Sequence, residues 1–258
     1  MNGPSRPVPT IAPDLESLYE QAAIHVQACS AAATETPTPN GGRFLVALSG
    51  GSTPRALFEL LAASDRWRTA IDWSRWYVFW GDERLVPPDD PASNYGMAHQ
   101  ALLSRVPIPP DQVFRVPTEA GSPEQVAARY EATLRAALTR PGDRPSHGGV
   151  PRFDLVLLGL GSDGHTASLF PASPAFEEQR RLVVATPPGT LPPAVDRVTF
   201  TLPLLNAARA VTFLAAGTDK AEVLRQVLAG DERLPAAYVR PRQGELRWLV
   251  DAHAAARI

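Results

Sequence analysis

The stretch F-D-L-V-L-L-G-L-G-S-D-G-H-T-A-S-L-F-P, residues 153–171, is the part of the sequence that best indicates the fold. Its first six residues predict a buried strand, because apolar side chains dominate without the regular polar alternation of a half-exposed strand. The glycines at positions 159, 161 and 164 end this strand, and we expect a helix to begin in T-A-S-L-F. A strand that passes through a glycine-rich turn into a helix is typical of an α/β protein with a parallel sheet.

The same order of strand, turn and helix recurs on both sides of this stretch. Strands are predicted at residues 43–48, 77–80, 113–116, 182–185, 198–202, 210–215 and 246–250. Helices are predicted from the N-cap Asp14 to about residue 33 and at residues 55–63, 94–104, 123–138 and 221–228. Short apolar strands separated by helices indicate an α/β fold with one doubly wound, mostly parallel sheet and helices on both faces. We expect a single domain over residues 14–258, preceded by a flexible tail, residues 1–13, that contains four prolines.

The composition argues against several classes of protein. The 258 residues include 25 basic and 27 acidic side chains without a basic run, so we expect neither nucleic-acid binding nor membrane binding. No apolar run approaches the roughly 18 residues of a membrane span, and the N-terminus lacks the apolar core of a signal peptide. A cytoplasmic protein is therefore expected. The single cysteine, Cys29, cannot form an internal disulfide and is expected to be buried and inert.

Polar and glycine-rich clusters follow four of the predicted strands. They are Ser49–Thr53, Gly81–Arg84, Gly159–His165 and Gly217–Lys220. In a mostly parallel sheet, ligands bind where the strands end at their carboxyl edge and helices begin. The sequence therefore predicts that all four clusters converge on one crevice.

The first and last of these clusters suit an anionic ligand. In L-S-G-G-S-T-P, residues 48–54, backbone N–H groups at a helix start and three hydroxyls favour a phosphate, although a tight turn with an N-cap would explain the same residues. The loop lacks the lysine of a Walker A motif. Lys220 is the only lysine in the chain, which indicates either a phosphate contact that needs a compact charge or chance survival on the surface.

The other two clusters allow more than one interpretation. Asp82, Glu83 and Arg84 could form a solvated turn as readily as part of a site. The G-x-G-x-x-G spacing fits a dinucleotide fingerprint, but Asp163 would lie beside the pyrophosphate and no acidic residue ends the next strand. His165, next to these glycines, instead suits a general base near neutral pH. The histidines at positions 25, 99, 147 and 253 have helix-face or loop contexts and are interpreted as structural.

Four motifs together resemble those of the 6-phosphogluconolactonases, in the same order: S-G-G-S-T-P, G-D-E-R-L-V-P with S-N-Y-G-M-A, G-L-G-S-D-G-H-T-A-S-L-F-P and G-T-D-K-A-E-V-L. The match runs from about residue 43 to residue 228, and the second and third motifs are specific. The resemblance implies a fold shared with glucosamine-6-phosphate deaminases and ribose-5-phosphate isomerases. It also implies hydrolysis of 6-phospho-D-glucono-1,5-lactone to 6-phosphogluconate in the oxidative pentose phosphate pathway, without a metal or organic cofactor. Lactonases of this kind are often monomers, and we expect a monomer here.

The resemblance also implies roles for individual residues. His165 matches the family histidine thought to activate water, and Asp82 and Asp163 match acidic positions that hold sugar hydroxyls or orient this histidine. Arg84 matches the lactonase arginine after Asp-Glu and is a candidate to stabilise the oxyanion, as is a backbone N–H group. The residues matching the family's phosphate-binding region are Ser49, Gly50, Gly51, Ser52, Thr53 and Lys220, and Arg197 matches a further frequent arginine of the family.

Three other interpretations have less support. A glucosamine-6-phosphate deaminase would use the same scaffold, but that family has a glutamate soon after Asp-Gly-His, whereas the next carboxylate here is Glu177. A sugar-phosphate-binding regulatory protein would usually carry a DNA-binding or partner-binding module, and none is visible. A serine nucleophile would need a G-x-S-x-G elbow, which the residues around Ser162 do not form.

Overall fold

The molecule is an α/β protein whose strands and helices alternate along the chain. The structure is a computed structural model that describes residues 7–35, 42–138, 149–189 and 193–258. The strands are β1 (Thr10–Ala12), β2 (Phe44–Leu48), β3 (Trp76–Trp80), β4 (Asp82–Arg84), β5 (Leu155–Gly159), β6 (Val183–Thr186), β7 (Arg197–Phe200), β8 (Ala210–Ala215) and β9 (Glu245–Asp251). The α-helices are α1 (Leu15–Glu35), α2 (Ser52–Ala63), α3 (Asp65–Ala70), α4 (Asn94–Ala98), α5 (Pro123–Leu138), α6 (Pro174–Glu177), α7 (Leu202–Leu205) and α8 (Ala221–Leu228).

Six strands form a parallel sheet in the order β1-β9-β8-β5-β2-β3. Strands β2 and β8 are buried along their whole length, as expected for a parallel sheet covered on both faces. Helix α1 contacts β1, β2 and β9, while α2 contacts β5 and β8. The predicted α/β class with a mostly parallel sheet is confirmed.

A buried carboxylate lies at the start of β5 in the middle of this apolar sheet. Asp154 accepts a hydrogen bond from the Leu45 backbone N–H at 2.8 Å and lies 3.2 Å from Arg209 Nε. Burial of a charged group is costly unless it is paired and hydrogen-bonded. The polar residue in F-D-L-V-L-L is therefore compatible with a buried strand because both of its oxygens have partners.

A second sheet, which the sequence did not predict, stands beside the first. Its three strands run antiparallel in the order β4-β7-β6, so the segments predicted at residues 182–185 and 198–202 leave the main sheet. Gly81 connects the two sheets: its N–H donates to Leu48 O at 2.9 Å, and its carbonyl accepts from the Phe200 N–H at 2.8 Å. The small sheet carries β4 directly to the carboxyl end of β2.

Helix α5 satisfies backbone groups at exposed strand edges. The Tyr130 hydroxyl accepts from the Trp80 N–H at 2.8 Å and donates to the Trp80 carbonyl at 3.0 Å. The Glu131 carboxylate accepts from the N–H groups of Leu182 and Val183 at 2.8 and 3.2 Å. These contacts replace the hydrogen bonds that a further strand would have made.

Two predictions are wrong, namely the extent of the N-terminal tail and the strand at residues 113–116. Residues 1–6 lie outside the described part, but Thr10–Ala12 belong to the sheet and pair with Leu249–Asp251 of β9 instead of forming a flexible tail. Residues 113–116 do not form a strand. Only Val113 makes a bridge, to Val78, because prolines on both sides interrupt the ladder that a strand needs.

The expected helix in T-A-S-L-F is also absent. Residues after β5 form successive turns, closed by a bridge between Thr166 and Leu169, with Ala167 at a positive φ of 48°. In the described ranges, no helix is both long and apolar enough to cross a bilayer.

Candidate active site

The four polar clusters meet in one cleft at the carboxyl edge of the parallel sheet, as predicted. Each cluster contributes from a different strand end, so residues far apart in the chain come together. The lining includes Ser49, Gly50, Gly51, Ser52, Thr53, Asp82, Arg84, Asn94, Gly159, Leu160, Gly161, His165, Ala167, Arg197 and Lys220. Asp163 is the one predicted site residue that does not line the cleft itself.

One wall of the cleft is the loop between β2 and α2. Gly51 precedes the helix with a φ of 105°, a conformation that side chains rarely adopt. The first N–H groups of α2, those of Ser52 and Thr53, have no intrahelical partners, and both residues line the cleft. Gly50 packs so closely against Asn94 that a Cβ atom here would overlap the Asn94 amide oxygen. The loop is therefore shaped to present backbone donors to an anion.

Lys220 contributes a positive charge at another wall. It ends the short 3-10 turn Thr218–Lys220 before α8 and lies 2.9 Å from the Asp219 carboxylate. The turn is anchored to the end of β9, because the Gly217 N–H donates to the buried Asp251 carboxylate at 3.0 Å. The Lys220 side chain is 22% exposed, so it can reach a ligand in the cleft while staying partly shielded from solvent.

His165 and Asp163 form a close pair beside the cleft. His165 Nδ1 lies 2.5 Å from Asp163 Oδ1, and the His165 backbone N–H donates to the same oxygen at 3.1 Å. A carboxylate only accepts hydrogen bonds, so Nδ1 is the donor, and in the neutral imidazole Nε2 then carries the lone pair. A Cβ atom at Gly161 would overlap this pair, which explains why the turn needs a glycine there. The pair has the arrangement of an oriented general base.

Asp82 is the second carboxylate predicted for the site, and it lines the cleft. It is buried, and its Oδ2 accepts from the Ser168 hydroxyl at 2.6 Å. The Asn94 amide donates to the Asp82 carbonyl at 2.9 Å. Of the two carboxylates, Asp163 rather than Asp82 orients the histidine in the part of the chain that the structure describes.

Two arginines face each other across the antiparallel pair of β4 and β7. Arg84 is opposite Arg197 in the strand register. The Arg84 guanidinium donates to the Ala92 carbonyl at 2.7 Å, and that of Arg197 donates to the Pro193 carbonyl at 3.1 Å. The pKa of Arg197 is lowered, first by burial and then by the positive charge of Arg84. Two neighbouring cations that repel each other favour an anion in the cleft.

Glu83, for which the sequence allowed either a solvated turn or a place in the site, instead accepts hydrogen bonds from the start of α4. Its carboxylate accepts from the N–H groups of Asn94 and Tyr95, each at 2.7 Å, and from the Ser93 hydroxyl at 3.2 Å. Burial raises the pKa of Glu83 despite these bonds. The Glu83 carboxylate thereby positions Asn94 at the cleft, and the N-cap serine before Asn94 was the available sequence signal.

Three further residues around the cleft, Asn94, Ser168 and Phe170, are not predicted as site residues by the sequence. Asn94 and Ser168 hold Asp82, while the Phe170 ring packs 4.7 Å from the His165 ring. The hydrogen-bond partners of Asn94 and Ser168 lie 12 and 86 positions away. Sequence spacing alone gave no signal for these contacts.

The dinucleotide interpretation has no structural support. A pyrophosphate site of that kind needs a helix start after the strand, whereas turns follow β5. Asp163, which faces His165, adds negative charge where the pyrophosphate would lie. Within the described ranges, no group of three or more histidine, cysteine, aspartate and glutamate side chains is placed to hold a metal ion.

Comparisons with known proteins agree on one family. Residues 13–248 match the family model described as glucosamine-6-phosphate isomerases/6-phosphogluconolactonase. A 6-phosphogluconolactonase from Nostoc sp. is 41% identical over 250 residues, which cover 95% of this chain and 98% of the relative. The solved 6-phosphogluconolactonase from Trypanosoma cruzi superposes with a TM-score of 0.83 at 33% identity, over 98% of this chain and 97% of the other.

A more distant structure tests only the scaffold. A monomeric glucosamine-6-phosphate deaminase superposes with a TM-score of 0.78 at 18% identity, over 96% of this chain and 99% of the other. At that identity the match shows a shared fold, as the motif resemblance implied. The family model and the two relatives at 33% and 41% identity show that the chain belongs to the glucosamine-6-phosphate isomerase/6-phosphogluconolactonase family.

Proposed function

We propose that this protein hydrolyses 6-phospho-D-glucono-1,5-lactone to 6-phosphogluconate. The single observation that carries the proposal is the oriented pair of His165 and Asp163, which borders the same cleft as the loop before α2 and Lys220. A general base and an anion site at one cleft suit a phosphorylated substrate that is attacked by water. The relatives named as 6-phosphogluconolactonases support the choice of lactone.

The substrate phosphate is held between the start of α2 and Lys220. The N–H groups of Ser52 and Thr53, with nearby hydroxyls, donate to the phosphate oxygens, and Lys220 neutralises charge. Arg197 adds further positive charge on the opposite wall. Fixing the phosphate converts the attack on the distant lactone carbonyl into a reaction between positioned groups.

His165 supplies the proton transfer. Its Nε2 removes a proton from water as the water oxygen attacks C1 of the lactone, and Asp163 stabilises the imidazolium that forms. The negative charge that develops on the carbonyl oxygen is stabilised by Arg84, which lines the cleft. The tetrahedral intermediate then collapses, the bond from C1 to the ring oxygen breaks, and that oxygen takes the proton from the imidazolium.

Asp82 is proposed to bind a sugar hydroxyl. It lines the cleft, and its two oxygens accept from the Ser168 hydroxyl at 2.6 Å and from the Asn94 amide at 3.4 Å, so it serves as an acceptor rather than as a base. Glu177, the next carboxylate after His165, lies in α6 and does not line the cleft. The ring-opening glutamate of a deaminase therefore has no counterpart there, which disfavours deamination.

We propose that the protein acts as a monomer in the cytoplasm on this small molecule, without nucleic acid, membrane, metal or organic cofactor. Size-exclusion chromatography with light scattering tests the monomer, and activity that persists after dialysis against a chelator tests the absence of a metal.

The proposed activity is tested by turnover of freshly generated 6-phosphogluconolactone above its spontaneous rate. Unphosphorylated glucono-1,5-lactone should react far more slowly. The Lys220→Met variant should raise KM for the phosphorylated lactone roughly 10-fold or more, the usual effect of losing one charged contact. Arg225→Met is a matched control, because Arg225 lies in α8 outside the cleft and pairs with Glu222 at 2.6 Å.

No acceleration by the wild-type protein would reject the lactonase proposal. Release of ammonia from glucosamine 6-phosphate would then identify a deaminase. Equal rates on the two lactones would reject the phosphate site while leaving lactone hydrolysis in place.

A further inference from the structure

Phe170 is buried, yet it does not belong to the hydrophobic core. Its side chain is 6% exposed, but it lies outside the continuous cluster of buried apolar residues that fills the interior. Its ring packs instead against charged and titratable side chains of the cleft. The ring centroid lies 4.7 Å from that of the His165 imidazole, with the planes tilted by 43°, and 5.3 Å from the Arg197 guanidinium carbon.

The edge of the Phe170 ring also contacts the backbone at Gly189. A Cβ atom at Gly189 would overlap the outer carbon atoms of the Phe170 ring, so the backbone there touches the edge of the ring. Gly189 does not have a positive φ, and the lack of a side chain is therefore explained by this close approach rather than by backbone conformation. Phe170 is held on one side by Gly189 and contacts His165 and Arg197 with the rest of its ring.

One hydrogen bond does not fix an imidazole. The bond from Nδ1 to Asp163 restrains one atom of the His165 ring, but small changes in χ1 and χ2 can still move Nε2 while this bond is kept. A packed aromatic face removes this freedom, and the face of a benzene ring also attracts an imidazolium more than a neutral imidazole. The first effect sets the direction of Nε2 before the proton transfer, and the second stabilises His165 once it has taken the proton.

We propose that Phe170 is a positioning residue for the reaction: its ring, held by Gly189 and Arg197, fixes the rotation of His165 so that Nε2 points at the attacking water. The inference rests on the proposed lactonase function. Because Phe170 acts through His165, its loss should slow the proton transfer and leave substrate binding nearly unchanged.

The test uses two variants that alter the ring from opposite directions. Phe170→Leu removes the aromatic face and keeps an apolar side chain, while Gly189→Ala pushes on the intact ring from behind. Each is expected to lower kcat for lactone hydrolysis roughly 10-fold, the scale of a small misplacement of a reacting group, with KM changed by less than about threefold. Phe176→Leu is the matched control, because Phe176 packs at 5.1 Å against Tyr238 away from the cleft.

Two readouts separate positioning from a general loss of folded protein. Slower proton transfer should raise the solvent deuterium isotope effect on kcat above the wild-type value, which a smaller active fraction would not change. In addition, Gly189→Ala should have little further effect in the Phe170→Leu background, since the ring through which it acts is gone.

Full kcat in Phe170→Leu with an active wild-type protein would overturn the inference but not the proposed function. The inference would also be overturned if the double variant lost kcat by the product of the two single effects. An unchanged isotope effect with reduced kcat would overturn it as well. A wild-type protein without lactone hydrolysis would instead defeat the proposed function on which the inference rests.

Discussion

Two histidines of this protein each lie beside a potentially reactive side chain, and the comparison shows what makes a histidine a candidate base. His165 stands at the carboxyl edge of the sheet with Nδ1 2.5 Å from the Asp163 carboxylate. His25 lies in α1, with Nε2 3.6 Å from the Cys29 sulfur. The first partner is an anion that stabilises a positive imidazole. The second is a weak thiol partner that does not.

The surroundings widen this difference. Burial lowers the pKa of His25, and Arg247 of β9 lowers it further against the opposing influence of Glu245. The pKa of the Cys29 thiol is raised to about 11, chiefly by burial. His25 and Cys29 are therefore both held neutral, whereas His165 lines a cleft that contains several charged side chains. Whether a histidine can act as a base therefore depends more on its position at the sheet edge than on a nearby reactive group.

The largest expected effect comes from making the same substitution at both histidines. His165→Ala should lower kcat roughly 10²- to 10⁴-fold, the usual contribution of a general base. His25→Ala should keep kcat within about twofold but lower the free energy of unfolding by roughly 1–3 kcal/mol, because it leaves a hole in a buried helix face. Lactone hydrolysis and urea denaturation measure the two quantities. Near-wild-type turnover by folded His165→Ala would remove the contrast.

The next comparison replaces the side chain that each histidine contacts. Asp163→Asn removes the charge that fixes the tautomer of His165 and should lower kcat roughly 10²- to 10³-fold. Cys29→Ser should leave kcat within about twofold, since the sulfur contacts His25 within α1 and Cys29 is not among the residues that line the cleft. Steady-state kinetics on both purified variants provides the comparison. A fall of less than threefold in Asp163→Asn would show that the carboxylate does not support catalysis.

The thiol of Cys29 offers a third comparison. With its pKa raised from 9.0 to about 11, the fraction of thiolate at neutral pH falls roughly 100-fold relative to a free thiol. Labelling by a maleimide should be slower than for free cysteine by at least about that factor, and labelled protein should keep its lactonase rate. Labelling as fast as for free cysteine would mean that Cys29 is exposed and ionised.

The smallest effect concerns pH. The pKa of folded His25 lies below that of the unfolded chain, so His25 contributes stability that is present above about pH 6.5 and is lost as the pH falls. The free energy of unfolding should therefore decrease less between pH 7.5 and 5.5 in His25→Asn than in the wild type. His253→Asn, at an exposed histidine, serves as the control.

Other groups titrate in both proteins, so the comparison of His25→Asn with the wild type isolates the contribution of His25. The carboxyl groups of Glu119 and Glu178 have a pKa lowered to about 2, so their contributions are lost only in more acidic solution. An identical pH dependence in the wild type and His25→Asn would show that His25 titrates alike in the folded and unfolded states.

Most of the cleft was predictable because its residues follow apolar strands. Once the strands at residues 44–48 and 155–159 are assigned to a parallel sheet, the loops after them must share one edge. This places Ser49–Thr53 near His165 without any knowledge of side-chain packing. The family resemblance implied that Asp163 either holds a sugar hydroxyl or orients His165, and the structure places Asp163 Oδ1 2.5 Å from His165 Nδ1.

The parts that escaped prediction depend on contacts between distant residues. Three-residue β1 has no pattern of its own, and only β9 makes it a strand. The antiparallel sheet arises because Gly81 bonds to both Leu48 and Phe200, which local propensity does not encode. Likewise Phe170 reads as an ordinary core residue until its neighbours are known. The expected helix after β5 failed because the turns around Ala167 replaced it.

The pairing of β1 with β9 also governs when the sheet can be completed. Thr10 lies opposite Leu249, so β1 has no partner until β9, more than 200 residues further along the chain, has been synthesised. The strands between them can pair earlier, since β2 and β3 are close in sequence. During synthesis the N-terminal segment must therefore wait in an unpaired state, and closure of this edge is a late, long-range step of folding.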